Sequence, residues 1–79
     1  MLDLKQTLCD IVKAIVDDPS SISITETEEN GTVNLELSVA PDDMGKVIGK
    51  QGKIAKAIRA VMHSATAGTD KSVSVEIDE

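Results

Sequence analysis

The sequence predicts an α+β fold in which a three-stranded mixed sheet carries its helices on one face. Two kinds of apolar periodicity indicate this class. Three segments space apolar residues three or four apart, as one side of a helix requires, and three others alternate apolar with polar residues, as half-buried strands do. Along the chain their order is α-β-β-α-α-β. Because each predicted strand has only one apolar face, we expect the helices to cover that face alone.

The first half of the chain supplies one helix and two strands. The helix has an apolar face formed by Leu4, Leu8, Ile11, Val12 and Ile15. We predict that it ends at Asp17-Asp18-Pro19, since the residue before a proline avoids the helical conformation. A short strand follows at residues 21–25, and Glu26 to Gly31 is expected to be a polar connection that closes on the Asn30-Gly31 turn signal. The clearest strand alternates Val33, Leu35, Leu37 and Val39 with polar residues.

Two helices and a strand are predicted in the second half. Pro41 suits the first turn of a helix and the two aspartates after it suit the positive end, which predicts a short helix over about Asp42 to Ile48. The loop Gly49-Lys50-Gln51-Gly52 separates it from a longer helix that runs to about Ala67, where Gly68 is a natural stop. The last strand has alternating apolar residues at Val73, Val75 and Ile77.

Length and composition exclude several classes of protein. Seventy-nine residues predict a single domain over 1–79. One cysteine, Cys9, cannot form an internal disulfide, a Cys-rich zinc site or an iron–sulfur cluster, and His63 has no partner residues for a metal. We therefore expect no cofactor or metal. Neither a signal peptide nor a membrane segment is visible, so the expected location is cytoplasmic.

The net charge of −6 by itself argues against a nucleic-acid partner, and the lack of Phe, Tyr and Trp excludes an aromatic stacking platform. The charge is segregated, however. Met44 to Met62 contains five basic residues and no acid, a charge of +5, whereas residues 1–43 carry −8 and residues 63–79 carry −3. The basic residues of this block are Lys46, Lys50, Lys53, Lys56 and Arg59.

The basic block coincides with the glycine loop at residues 49–52. Glycine permits tight turns and close backbone approach, and the loop opens into a helix N-terminus, where free N–H groups and the helix dipole favour an anion. Lys50 stands in the loop and two further lysines lie along the helix, a spacing that suggests phosphates. Ile48, Ile54 and Ile58 lie on the apolar side of the same region. The pattern predicts a groove for a short single strand, with a phosphate-binding rim and an aliphatic floor.

Residues 47–59 resemble the core of a KH domain: Val47-Ile48-Gly49-Lys50-Gln51-Gly52-Lys53-Ile54-Ala55-Lys56-Ala57-Ile58-Arg59. The element order is similar to that of the type II, bacterial form. With the lead-in Ala40-Pro41-Asp42-Asp43-Met44-Gly45, the chain most resembles the KhpA family of small bacterial RNA-binding proteins.

The resemblance implies a role for each matching residue. Gly49, Lys50, Gln51 and Gly52 would contact RNA, and Lys46, Lys53 and Lys56 would support the phosphates. Ile48, Ile54 and Ile58 would line the base groove. The variable loop of type II domains would fall at about Glu26 to Asn30, where three glutamates would repel phosphate. The family also implies self-association, pairing with a larger multidomain KH protein, and RNA chaperone activity linked to cell shape and cell wall growth.

Plainer interpretations stay open beside these. The two loop glycines could form an ordinary tight turn, the lysines an ordinary solvated helix surface, and the isoleucines, Ile58 above all, packing only. Cys9 suits an apolar filler, and His63 a surface or interface position. Small residues on the long helix suit either helix propensity or the close approach of a second chain: Ala57, Ala60, Ser64 and Ala67.

The spacing of glycines does not match nucleotide-binding enzymes. A P-loop places four residues between its glycines and follows them with Lys-Ser/Thr, whereas Gly45 and Gly49 are separated by three and Lys50 precedes Gln51. No Ser–His–acid or Cys–His arrangement is plausible with one His and one Cys. The sequence therefore favours an RNA-binding domain over an enzyme. The alternative is a KH-like interaction or dimerisation module whose RNA binding is weak or depends on a partner.

Overall fold

The computed structural model describes residues 3–78, and it confirms the predicted fold class and element order. The helices are α1 (Leu4–Lys13), α2 (Met44–Ile48) and α3 (Lys53–Thr66), and the strands are β1 (Ser23–Glu29), β2 (Thr32–Ser38) and β3 (Ser72–Ile77). Short 3₁₀ turns at Pro19–Ser21, Pro41–Asp43 and Lys50–Gly52 connect them. None of the helices described is long and apolar enough to cross a membrane.

The central strand of the sheet is β2, which pairs antiparallel with β1 and parallel with β3. Its apolar residues face the helices, and Leu35 and Leu37 are fully buried. Each helix adds buried residues to the same core: Leu8 and Val12 from α1, Val47 from α2, and Ile58 and Met62 from α3. The helices therefore pack on one face of the mixed sheet, as the alternating pattern predicts.

The first strand is longer than predicted, and the prediction of a loop at Glu26 to Asn30 is wrong. Residues 26–29 continue β1 and pair with β2 from Leu35 to Thr32, so only the tight turn Asn30-Gly31 remains as a connection. Both turn residues have positive φ, 53° and 81°, as a two-residue hairpin turn needs. The ladder with β2 satisfies the backbone of this polar segment, which composition alone could not show.

Glu26 and Glu28 point to the same side of the sheet as Leu35 and Val33, their partners on β2, yet both glutamates are exposed. Charged residues on the inner side of an edge strand discourage other chains from adding to the sheet. The acidic end of β1 thus protects an open edge.

Helix α1 is shorter than predicted. It ends at Lys13, four residues before Asp17, and a looser turn carries the chain from Ala14 to Val16.

Asp43 connects the chain after α1 to the start of α2. The residue is 2% exposed, and its carboxylate accepts hydrogen bonds from the backbone N–H groups of Asp17 (3.2 Å) and Asp18 (3.0 Å). The hydrogen bond from the N–H of Asp18 is the main cause that lowers the pKa of Asp43, and together with the smaller contributions of Asp17 and Lys46 it outweighs the effect of burial. A buried carboxylate with these donors holds α2, and hence the loop that follows it, in place.

These contacts predict an acid-sensitive contribution of Asp43 to stability. A carboxyl whose pKa is lower in the fold stabilises it fully above the unfolded value, near 3.8, and loses that contribution as the pH falls through the folded value. We expect Asp43→Asn to lower the urea midpoint at pH 6 and to flatten the loss of stability below about pH 4. Asp42→Asn, on the exposed neighbour, should do neither. Equal midpoints for the two variants at pH 6 would contradict this role.

Candidate nucleic-acid interface

The predicted loop is a four-residue reversal between α2 and α3. Gly49 ends α2 with φ 75° and ψ 175°, and its N–H donates to the carbonyl of Gly45 at 2.9 Å. Gln51 (φ 58°) and Gly52 (φ 76°) both adopt left-handed backbone conformations. The N–H of Gly52 donates to the carbonyl of Gly49 at 3.2 Å and closes the turn. The loop is therefore a defined structure whose residues 50 and 51 are exposed.

Gly49 is required for a reason beyond its dihedral angles. A Cβ atom at this position would overlap Cγ1 of Ile54 and lie 2.8 Å from its Cβ and 2.9 Å from its backbone nitrogen. The side chain of Ile54 thus packs directly on the backbone of Gly49 and brings the end of α2 against the first turn of α3. Nothing lies within 4 Å of a Cβ placed on Gly52, so that glycine serves conformation only.

The N-terminus of α3 is open to a ligand. Gly52 is its N-cap, and among residues 3–78 no side chain caps the first turn, although the N–H groups of Gly52 and Lys53 already donate to the carbonyls of Gly49 and Lys50. Lys50, Lys53 and Lys56 are exposed, and within residues 3–78 none of them joins an ion pair. The remaining N–H groups of the first turn, the positive end of the helix dipole and three ammonium groups outside these ion pairs therefore share this end of the molecule, an arrangement suited to phosphate.

Lys46 differs from the other lysines of the block. Its ammonium donates to the carboxylate of Asp17 and, at 3.4 Å, to that of Asp43. The hydrogen bond to Asp17 is the largest cause that raises the pKa of Lys46. The structure thus brings Lys46 to the acidic connection after α1, so a phosphate would have to compete with two carboxylates for it.

The three isoleucines predicted to line a groove separate into two kinds. Ile54 is 38% exposed and Ile48 is partly buried beside the loop. Ile58 is 3% exposed and belongs to the core, so the prediction that it lines the groove is wrong. It lies on the side of α3 that packs on the sheet, as the plainer interpretation of a helical stripe has it. Of the three, only Ile48 and Ile54 keep exposed aliphatic surface beside the loop.

Comparison with known proteins identifies the family of this chain. A model of the KhpA/KhpB KH-domain family matches residues 5–77. The chain belongs to this family. It is 51% identical to RNA-binding protein KhpA of Clostridium acetobutylicum over 74 residues, which are 94% of this chain and 99% of the relative. It is 42% identical to RNA-binding protein KhpA of Listeria monocytogenes over 76 residues, or 96% of this chain and 100% of the relative.

Arg59 lies seven residues after the loop at residues 49–52, which we call the KH loop. Its side chain has a hydrogen-bond partner that the sequence did not indicate. Its Nε donates to the backbone carbonyl of Val75 at 3.1 Å, which joins α3 to the edge strand β3. The spacing of Gly52, Lys56 and Arg59 places all three on one side of α3, because residues four and seven apart share a helical face. The sequence spacing could therefore have shown that Arg59 shares a side of α3 with Lys56. Only the fold shows that this side packs against β3.

The two glycines of the KH loop should respond differently to alanine. Gly49→Ala places a Cβ against Ile54 in a conformation that only glycine adopts readily, and we expect it to cost about 3 kcal/mol or more of unfolding free energy. Gly52→Ala meets no atoms and should cost about 1 kcal/mol for its left-handed backbone. Urea unfolding followed by circular dichroism measures both. Equal losses would show that the contact with Ile54 does not determine the loop.

Proposed function

We propose that this chain binds single-stranded RNA by capturing its backbone at Gly49 to Gly52. The observation that carries the proposal is the exposed loop itself, which opens into the uncapped N-terminus of α3 inside a block of sequence without acids. The relatives that the chain matches are named RNA-binding proteins, which supports the same ligand. The proposed site consists of Gly49, Lys50, Gln51, Gly52, Lys46, Lys53, Lys56, Ile48 and Ile54.

Each part of the site has a separate task. Those backbone N–H groups of the loop and of the first turn of α3 that do not already donate within the chain bind phosphate oxygens, and Lys50, Lys53 and Lys56 add charge around them. Ile48 and Ile54 offer aliphatic surface to the bases. Lys46 contributes once RNA displaces Asp17 from its ammonium. Because the chain has no aromatic residue for stacking, affinity per nucleotide is low and most of it is electrostatic.

Low affinity per site suits a protein that acts with a second RNA-binding unit. Two linked weak sites bind one RNA far more tightly than either alone. We propose that the chain works as an RNA chaperone and post-transcriptional regulator in the cytoplasm, as a homodimer or with a larger multidomain KH protein. The cellular outcome proposed is control of cell shape and cell wall growth.

A second candidate function is a dimerisation or interaction module, and one surface favours it. Val61 is 50% exposed, and its neighbours on α3 are small: Ala57 lies four positions before it, Ser64 three positions after it, and Ala60 directly precedes it. An exposed valine surrounded by small residues allows two helices to approach closely. Val61 follows Ile54 by seven residues on the same side of α3, so this patch adjoins the proposed base contact at Ile54.

The RNA-binding proposal predicts a site-specific loss of affinity. Lys50→Asp with Gln51→Asp should weaken binding to a fluorescent single-stranded RNA by about ten-fold or more. The slope of log K against log salt concentration should become shallower by about one. The chain offers a matched control, because Lys5-Gln6 on α1 is the same dipeptide and both residues are exposed. Lys5→Asp with Gln6→Asp changes the net charge equally and should keep most of the affinity.

Circular dichroism of both double variants establishes that they fold, and fluorescence anisotropy at two salt concentrations gives the affinities. Equal weakening by the two would mean that only net charge matters and would remove the KH loop as the site. No binding by the unmodified chain, with or without a partner KH protein, would favour the interaction module instead.

A charged substitution in the exposed patch of α3 tests self-association. Val61→Lys should shift a dimer towards monomer by at least about ten-fold in dissociation constant, since it buries an ammonium in the contact. Thr25→Lys, which adds the same charge on the exposed face of the sheet, should leave the dimer intact. Light scattering after size exclusion measures the mass. A monomer at all micromolar concentrations in the unmodified chain would end this proposal for the chain alone.

A further inference from the structure

Arg59 differs from the four lysines of the basic block because its side chain forms a hydrogen bond with the sheet. Its Nε–H donates to the carbonyl of Val75, and the residue remains exposed. A guanidinium is planar and carries five N–H donors in fixed directions. Because one of them is anchored to the main chain, the plane has a defined orientation. The four N–H groups on the two Nη atoms meet no other acceptor among residues 3–78.

The position of Arg59 relative to the KH loop determines what can reach it. Arg59 follows Gly52 by seven residues on the same side of α3, a rise of about 10 Å. Lys56 lies between them on that side and β3 borders it. A strand whose phosphates are held at the loop can therefore extend a base along α3 to the guanidinium. Lys56 neutralises the backbone on the way.

We propose that Arg59 determines base specificity, and that it selects bases that present two neighbouring hydrogen-bond acceptors. This inference rests on the proposed RNA binding and sharpens it. The free Nη pair is a two-donor fork, and its complement in a single strand is O6 and N7 of guanine or O2 and N3 of cytosine. Adenine and uracil interpose an N–H donor between their acceptors, so they satisfy one arm of the fork only. The chain accordingly prefers guanine or cytosine beside the loop.

A purely structural role for Arg59 makes a different prediction. If the side chain only joins α3 to β3, its loss lowers stability and affects every RNA equally. A base-reading role changes the ratio of affinities between RNAs instead. The ratio is therefore the decisive quantity, because a general loss of fold or of charge leaves it unchanged.

The experiment uses four fluorescent heptaribonucleotides of uridine whose central position is U, A, C or G. For the unmodified chain we expect the C or the G oligonucleotide to bind at least about five-fold more tightly than the U and A ones. Arg59→Lys retains the positive charge but not the fork, and it should bring the ratio to within about two-fold. Lys5→Arg, on the exposed surface of α1 and outside the proposed site, should preserve the preference.

Modified RNA repeats the test with the unmodified protein, so it holds even if Arg59→Lys does not fold. Replacing guanosine by 7-deazaguanosine, or cytidine by 3-deazacytidine, removes one of the two acceptors and should remove the preference. Equal affinity for all four oligonucleotides would overturn the inference and leave the proposed RNA binding standing. A preference that survives the deaza bases would overturn the role of Arg59. No binding to any oligonucleotide would remove both proposals together.

Discussion

The structure depends on one constraint: a small three-stranded sheet has a single apolar face, and every helix must cover it. Val33, Leu35 and Leu37 of β2 lie at the centre of that face, and each is at most 4% exposed. Burial of such side chains is the main favourable contribution that a domain of this size can make to its stability. All three helices are consequently on one side, and the connection between α2 and α3 is left at the rim of the core, where its backbone can meet a ligand.

Packing at that rim explains why the loop has its particular form. Helix α2 has only five residues, and Val47 commits it to the core. The chain leaves the helical direction at Gly49, where the side chain of Ile54 packs on the backbone. Ile54 stays partly exposed in this position. The same contact thus serves the fold and the candidate site. A loop built in this way presents backbone N–H groups in a fixed arrangement, which limits the entropy lost when a phosphate binds.

Charge is organised by the fold as well as by the sequence. Acidic residues on the edge strand β1 guard the sheet against pairing with other chains, and Asp43 anchors the start of α2. Lys46 is drawn into this acidic region, while Lys50, Lys53 and Lys56 are not. The acidic majority of the surface should oppose non-specific RNA binding and direct phosphate to the end that carries Lys50, Lys53 and Lys56.

The sequence by itself determined the order of elements, the position of the loop and its acid-free surroundings, because these follow from local periodicity, glycine spacing and charge. Residues 49–52 were predictable for that reason. The extension of β1 through Glu26–Glu29, the ion pairs of Lys46 and the bond from Arg59 to Val75 were not. Each depends on a partner distant in the chain. Only the tertiary structure decides such pairings, since a local pattern shows which face a residue occupies but not what that face meets.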